Sequence, residues 1–221
     1  MYIWAIVFIT FLPTTGKLPP SSASALTEVV EGFKYLRMEP DILLVLIFNL
    51  FAVVLAMPYQ QLLPVFVEDI LKVGAGDMGI LVSFSGIGAI AGSLVSASLP
   101  NRKRGLMLLV SSMFLGLVLV SFSFFKVWGL SLGVMVLIGM GQTGRITLNN
   151  IPAQYYSSDQ FRGRIMGIFD MQMSFPGFTV LGAALLTGII GMEWAVSSFT
   201  LLLVAVSLSL IIFVSRLRRL D

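Results

Sequence analysis

The chain has 221 residues, 57% of them hydrophobic and 11% charged, with a mean hydropathy of +0.97 and a formal net charge of +3. A soluble domain carries about a quarter charged residues, so this composition is that of a polytopic membrane protein. With no Cys and no His, disulfides, thiolate or imidazole metal sites, haem ligation and Cys or His catalysis are excluded.

At the N-terminus, MYIWAIVFITFLP supplies only about a dozen apolar residues, some 18 Å of helix. It lacks the basic n-region and small-residue cleavage site of a signal peptide, so residues 1–12 read as the remnant of a transmembrane helix. Residues 13–40 read as a cytoplasmic linker. It opens with the Pro/Ser-rich PTTGKLPPSSASA and continues into LTEVVEGFKYLR, where Leu26, Val29, Val30, Phe33 and Leu36 share one helical face. That amphipathic helix is expected on the membrane surface or against the bundle.

Residues 41–221 read as a six-helix domain. Apolar segments long enough to cross a bilayer, which takes roughly 20 residues, run over 42–66, 78–99, 105–125, 128–154, 165–190 and 194–214. With the segment before Asp41 cytoplasmic, that side receives Lys17, Lys34, Arg37, Arg102, Lys103, Arg104, Arg162, Arg164, Arg216, Arg218 and Arg219, while the other receives only Lys72 and Lys126. This asymmetry orients the bundle by the positive-inside rule, with the C-terminus cytoplasmic. It also makes the net charge a matter of topology, with no nucleic-acid partner implied. The lipid bilayer is the first partner.

Proline sets the expected kinks, at Pro58 and Pro64 in the first span and Pro176 in the fifth. In the second span Gly88 and Gly92 form a GxxxG motif that lets two helix backbones approach closely, and packing within the domain is the favoured use. An internal repeat joins 63–80 to 151–168: Pro64 aligns with Pro152 and Met78-Gly79-Ile80 with Met166-Gly167-Ile168. Each copy connects the first two spans of a three-helix block, the arrangement of a 3+3 inverted repeat.

Polar residues inside spans must find partners away from lipid. In the fourth span Gln142, Arg145 and Asn149 form one stripe, and in the first span Asn49, Ala56 and Gln60 share a face, with Tyr59 and Gln61 beside it. The repeat aligns Gln61 with Asn149. Two readings stand: a polar wall lining a cavity, or amides that tie helices together. Arg145 lies about nine residues, some 13 Å, from the cytoplasmic end of its helix. Its expected partner is Asp170, the only acid well inside a span, whose depth differs from that of Arg145 by about 4 Å along the rise of the two helices. Such a pair is either a proton-coupling element or a static one.

EGFKYLRMEPDI, LPVFVEDILKVGAGDMGIL, SGIGAIAGSL, the basic turn NRKRG and DQFRGRIMGIF together resemble the C-terminal half of the major facilitator superfamily, and within it the bacterial efflux branch that includes the enterobactin exporter. LPNRKRG lacks the acidic residue that often precedes the basic turn in that family. The resemblance implies an all-α fold, a six-helix half of a twelve-helix transporter in a bacterial cytoplasmic membrane, alternating access, and a small drug-like or siderophore substrate exchanged for protons. Its partner is then a missing N-terminal six-helix half or a second copy of the chain. Asp159, Arg162 and Arg164 resemble the family's cytoplasmic loop between helices 10 and 11, as a gate or as headgroup anchors. The other function class is a transport-inactive membrane interaction or scaffold protein. Enzymatic activity and cofactors are not expected, because no paired carboxylates, metal ligands or activated nucleophile appear and no GxxxxGK[ST] loop occurs.

Overall fold

A computed structural model describes residues 25–99, 103–155 and 159–218. There the apolar runs become helices whose ends are set by Pro, Gly and charge. In chain order they are α1 (Ala25–Met38), α2 (Pro40–Ala56), α3 (Pro58–Asp69), α4 (Ala75–Ser98), α5 (Arg104–Phe124), α6 (Trp128–Tyr155), α7 (Asp159–Gln172), α8 (Pro176–Ile190), α9 (Met192–Phe213) and α10 (Ser215–Arg218). Among the described residues there is no strand. The expected remnant helix at 1–12 and the Pro/Ser-rich stretch lie outside the described residues.

Among the described residues five stretches are long and apolar enough to cross a membrane: Pro40–Asp69, Ala75–Ser98, Arg104–Phe124, Gly163–Ile190 and Met192–Phe213. The sixth expected span is α6, long enough at 28 residues but less apolar than the others because it carries Gln142, Arg145 and Asn149. Two spans are broken where proline was expected to kink them. α2 ends at Ala56, Met57 caps it, and Pro58 opens α3 without a backbone N–H to continue the ladder. The fifth span breaks over 173–175, where backbone bonds run from Met173 to Asp170, Ser174 to Met171 and Phe175 to Gln172, one residue tighter than in an α-helix, before Pro176 restarts the helix. Pro64, by contrast, sits inside α3. Gly191 takes φ +86°, a conformation that side chains resist, and so closes α8 and opens α9 in a single residue.

Packing relies on glycine. A Cβ at Gly88 would overlap the carbonyl of Val136, one at Gly139 the carbonyl of Ser85, and one at Gly92 would lie 2.5 Å from that of Met140. α4 and α6 therefore meet backbone to backbone, and the GxxxG motif is spent inside the bundle. Gly116 brings α5 against α9, with its Cβ position 3.1 Å from the Thr200 carbonyl. The main core gathers Phe48, Leu81, Leu119, Met135 and Leu203 among others.

A second, smaller core ties α1 to α2 and α7 through Leu36, Ile42, Leu46, Ile165, Ile168 and Phe169. The amphipathic face of α1 differs from expectation: Leu36 is 1% exposed but Val30 is 66% exposed. Gly32 decides this, because its bare Cα lets α7 approach until Ile168 stands 3.0 Å from the Cβ position. The buried line thus runs through Gly32, Tyr35 and Leu36, with Tyr35 stacked on Phe161 at 4.5 Å. Val30, two residues from Gly32, is about 200° around the helix.

Candidate functional site

The stripe on α6 organises the polar interior. Arg145 is 1% exposed, and its Nη1 donates to Oδ1 of Asn49 on α2 at 3.2 Å. Asn49 in turn donates from Nδ2 to Oε1 of Gln172 at 2.6 Å, and Gln172 donates from Nε2 to the Leu46 carbonyl at 3.0 Å. One turn away on α6, Oε1 of Gln142 accepts from the Tyr59 hydroxyl at 2.8 Å and from Nε2 of Gln60 at 3.2 Å. The network joins α2, α3, α6 and α7 and flanks the Met57 break on both sides. A narrow crevice bounded by Ala56, Met57, Tyr59, Leu115, Gln142 and Arg145 sits beside it.

Several expectations are corrected. Arg145 is held by Asn49, not by Asp170, which is exposed on the other side of α7. Depth placed the two at nearly the same level, but packing of Ile165, Ile168 and Phe169 against α1 and α2 turns the face of Gln172 inward, and Asp170, two residues away, is about 200° around. The shared face of Asn49, Ala56 and Gln60 is interrupted at Met57: Asn49 is buried, Gln60 exposed, and each reaches a different residue of α6. The aligned amides differ as well. Gln61 is exposed, whereas Asn149 is buried with neither amide atom hydrogen-bonded among the described residues. Nε of Arg145 is also buried without a partner there.

The guanidinium is thus desolvated with a neutral amide as its acceptor. A buried charge whose partner among the described residues is a neutral amide is costly, and intramembrane ionisable groups face the bundle interior or a water-filled cavity. Chemically the arrangement offers donors and acceptors for a polar solute or a moving helix.

Gln172 was not anticipated, although its signal was present. Ile165, Ile168, Phe169 and Gln172 follow i, i+3, i+4, i+7 spacing, so Gln172 continues the apolar face that packs inward, while Asp170 lies off it. Beside Gln172 a cavity of about 180 Å³ opens between α1, α2 and α7, lined by Leu36, Leu43, Leu46, Ile168 and Phe175 among others.

At the end of the bundle that carries α1, Arg164 pairs with Glu31 at 2.6 Å and lies over the Phe161 ring. The side chains of Asp159 and Arg162 lie outside the described residues. Asp41 and Arg216 pair at that same end, and Lys126 pairs with Glu193 at the other, at 3.1 Å. Arg164 and Arg216, expected on one side of the membrane, thus pair at one end of the bundle, and Lys126, expected on the other, pairs at the opposite end.

No curated protein matches the chain. A family model described as the Major Facilitator Superfamily matches residues 1–181. Membrane-length helices broken at proline, a bundle closed by helix-contacting glycines and that match over most of the sequence make this an integral membrane protein, and the chain belongs to the Major Facilitator Superfamily.

Proposed function

We propose that the chain is the C-terminal half of a secondary active transporter that exports a small drug-like or siderophore compound by alternating access, driven by protons and resident in a bacterial cytoplasmic membrane with its C-terminus inside. The observation that carries this reading is the buried polar network centred on Arg145, in a bundle whose other buried polar side chains, among the described residues, are Asn149 and the small hydroxyls of Ser and Thr. Gln60, Gln61 and Gln142 stand on one wall of the substrate path with Asn49, Arg145 and Asn149 buried behind them, and a second six-helix half supplies the other wall. Asp170, exposed on a spanning segment beside the exposed glycines Gly163 and Gly167, is the proton-carrying group in this reading. Arg164 belongs to the cytoplasmic gate, with Asp159 and Arg162 beside it in sequence.

The test is transport in proteoliposomes holding this chain alone, or this chain with an N-terminal six-helix half of the same superfamily. Ethidium and an iron-free tris-catecholate siderophore serve as substrates under an imposed pH gradient. Export is expected only with both halves, and it should stop when the gradient is collapsed. Export by the chain alone would overturn the half-transporter reading, and absence of export in every composition would favour a scaffold.

A further inference from the structure

The hydrogen bonds around Arg145 form a directed chain with fixed ends. A guanidinium only donates and a backbone carbonyl only accepts. Arg145 therefore requires Oδ1 of Asn49 as its acceptor, which leaves Nδ2 to donate to Oε1 of Gln172, which leaves Nε2 to donate to the Leu46 carbonyl. Neither amide can reverse without opposing two acceptors or two donors. Gln172 consequently straddles one turn of α2, holding the Leu46 carbonyl with one end and the Asn49 side chain with the other. It is also the last residue of α7, immediately before the tight turns at 173–175 and Pro176.

We propose that Gln172 is the positioning residue of Arg145: through Asn49 it fixes the guanidinium against α2, and from its place at the break in the fifth span it passes any change in that break to the polar stripe of α6. Arg145 and Gln172 need not touch for this, because Asn49 links them. When the turns at 173–175 rearrange, Gln172 moves with them, Asn49 loses the bond that orients it, and Arg145 loses its acceptor. The functional meaning rests on the transporter reading above, whereas the positioning itself is measurable without transport.

The experiment uses the full chain, labelled with ¹⁵N-arginine and purified in detergent micelles, with Arg145→Lys identifying the Arg145 signals. A guanidinium held at Nη1 rotates slowly about Nε–Cζ and gives distinct Nη1 and Nη2 resonances. In Gln172→Met these are expected to collapse to an average, as in Asn49→Leu, and the double variant should lose nothing further. The otherwise native chain should show the distinct resonances. So should Asp170→Asn, on the far side of the same helix. Far-ultraviolet circular dichroism confirms that each variant is folded, and if Gln172→Met is not, Gln172→Leu and Gln172→Ala replace it. Distinct Arg145 resonances persisting in folded Gln172→Met, Gln172→Leu or Gln172→Ala, or collapsing equally in Asp170→Asn, would overturn the proposal. Loss of transport alone in the proteoliposome test would instead overturn the transporter reading.

Discussion

Gly88 on α4 lies against the backbone carbonyl of Val136 on α6 so closely that a Cβ would overlap it. A backbone cannot yield as the end of a flexible side chain does, so the two helices must separate to admit even a methyl group. Gly88→Leu is expected to cost about 3 kcal/mol or more, the upper range for overpacking. Gly86, two residues away, has nothing within 4 Å of its Cβ position, and Gly86→Ala should be neutral or gain up to about 1 kcal/mol in helix propensity. Unfolding of the purified bundle by sodium dodecyl sulfate measures both. Equal losses at the two positions would show that α4 does not dock on α6 through this face.

Arg145 and its acceptor make a second prediction. Removing Asn49 takes away a hydrogen bond to a charged group, so Asn49→Leu should cost about 1.5–3 kcal/mol. In a double-mutant cycle, Arg145→Met and Asn49→Leu should be coupled by about 1–3 kcal/mol, while Arg145→Met and Asp170→Asn should add within about 0.5 kcal/mol. Additivity for the first pair together with coupling for the second would restore the Arg145–Asp170 partnership expected from depth alone.

What could be read in the sequence divides along physical lines. Helix spans, the breaks near Pro58 and Pro176 and the small-residue motif at Gly88 and Gly92 follow from apolar length, a missing N–H and the absence of side chains, all local properties. The partner of Arg145 depends on how α7 is rotated about its own axis. Residue counting gives position along a helix but not that rotation, which is decided by Ile165, Ile168 and Phe169 meeting α1 and α2. Gly32 acted in the same way on α1, shifting its buried line away from Val30. In both cases tertiary contact chose among faces that amphipathic pattern left open.

The ion pairs at the two ends of the bundle lead to a topological prediction. Lys126 and Glu193 meet at one end, and Asp41 with Arg216 and Glu31 with Arg164 at the other. The native chain has no Cys, so a single introduced cysteine reports cleanly. Gly74→Cys, in the exposed connection between α3 and α4, should react with a membrane-impermeant maleimide added outside intact cells. Met38→Cys, 75% exposed at the end of α1, should react only after the cells are opened. Inverted labelling would turn the whole bundle over. Lys126→Ala should change stability by less than about 1 kcal/mol, since the lysine is solvent-exposed and the pair is screened.

The Met57 break yields the last prediction. α6 holds both sides of it: Arg145 binds Asn49 upstream, and Gln142 binds Tyr59 and Gln60 downstream. With the backbone ladder interrupted at Pro58, these side-chain bonds take over part of its role in keeping α2 and α3 at one angle. Tyr59→Phe removes the shorter, part-buried bond at 2.8 Å and should cost about 1 kcal/mol. Gln60→Ala removes an exposed bond at 3.2 Å and should cost less. Spin labels on cysteines at Phe51 and Val65, both exposed and separated by about 21 Å of helical rise, report the angle across the break. Pulsed electron paramagnetic resonance should show a single narrow distance distribution in the otherwise native chain. The distribution should broaden in Tyr59→Phe and broaden further when Gln60→Ala is added. Gln61→Ala, at an exposed side chain beside them, should leave it narrow. An unchanged distribution in the Tyr59→Phe, Gln60→Ala double variant would mean that backbone packing alone sets the angle, and that Gln142 contributes nothing to holding the break.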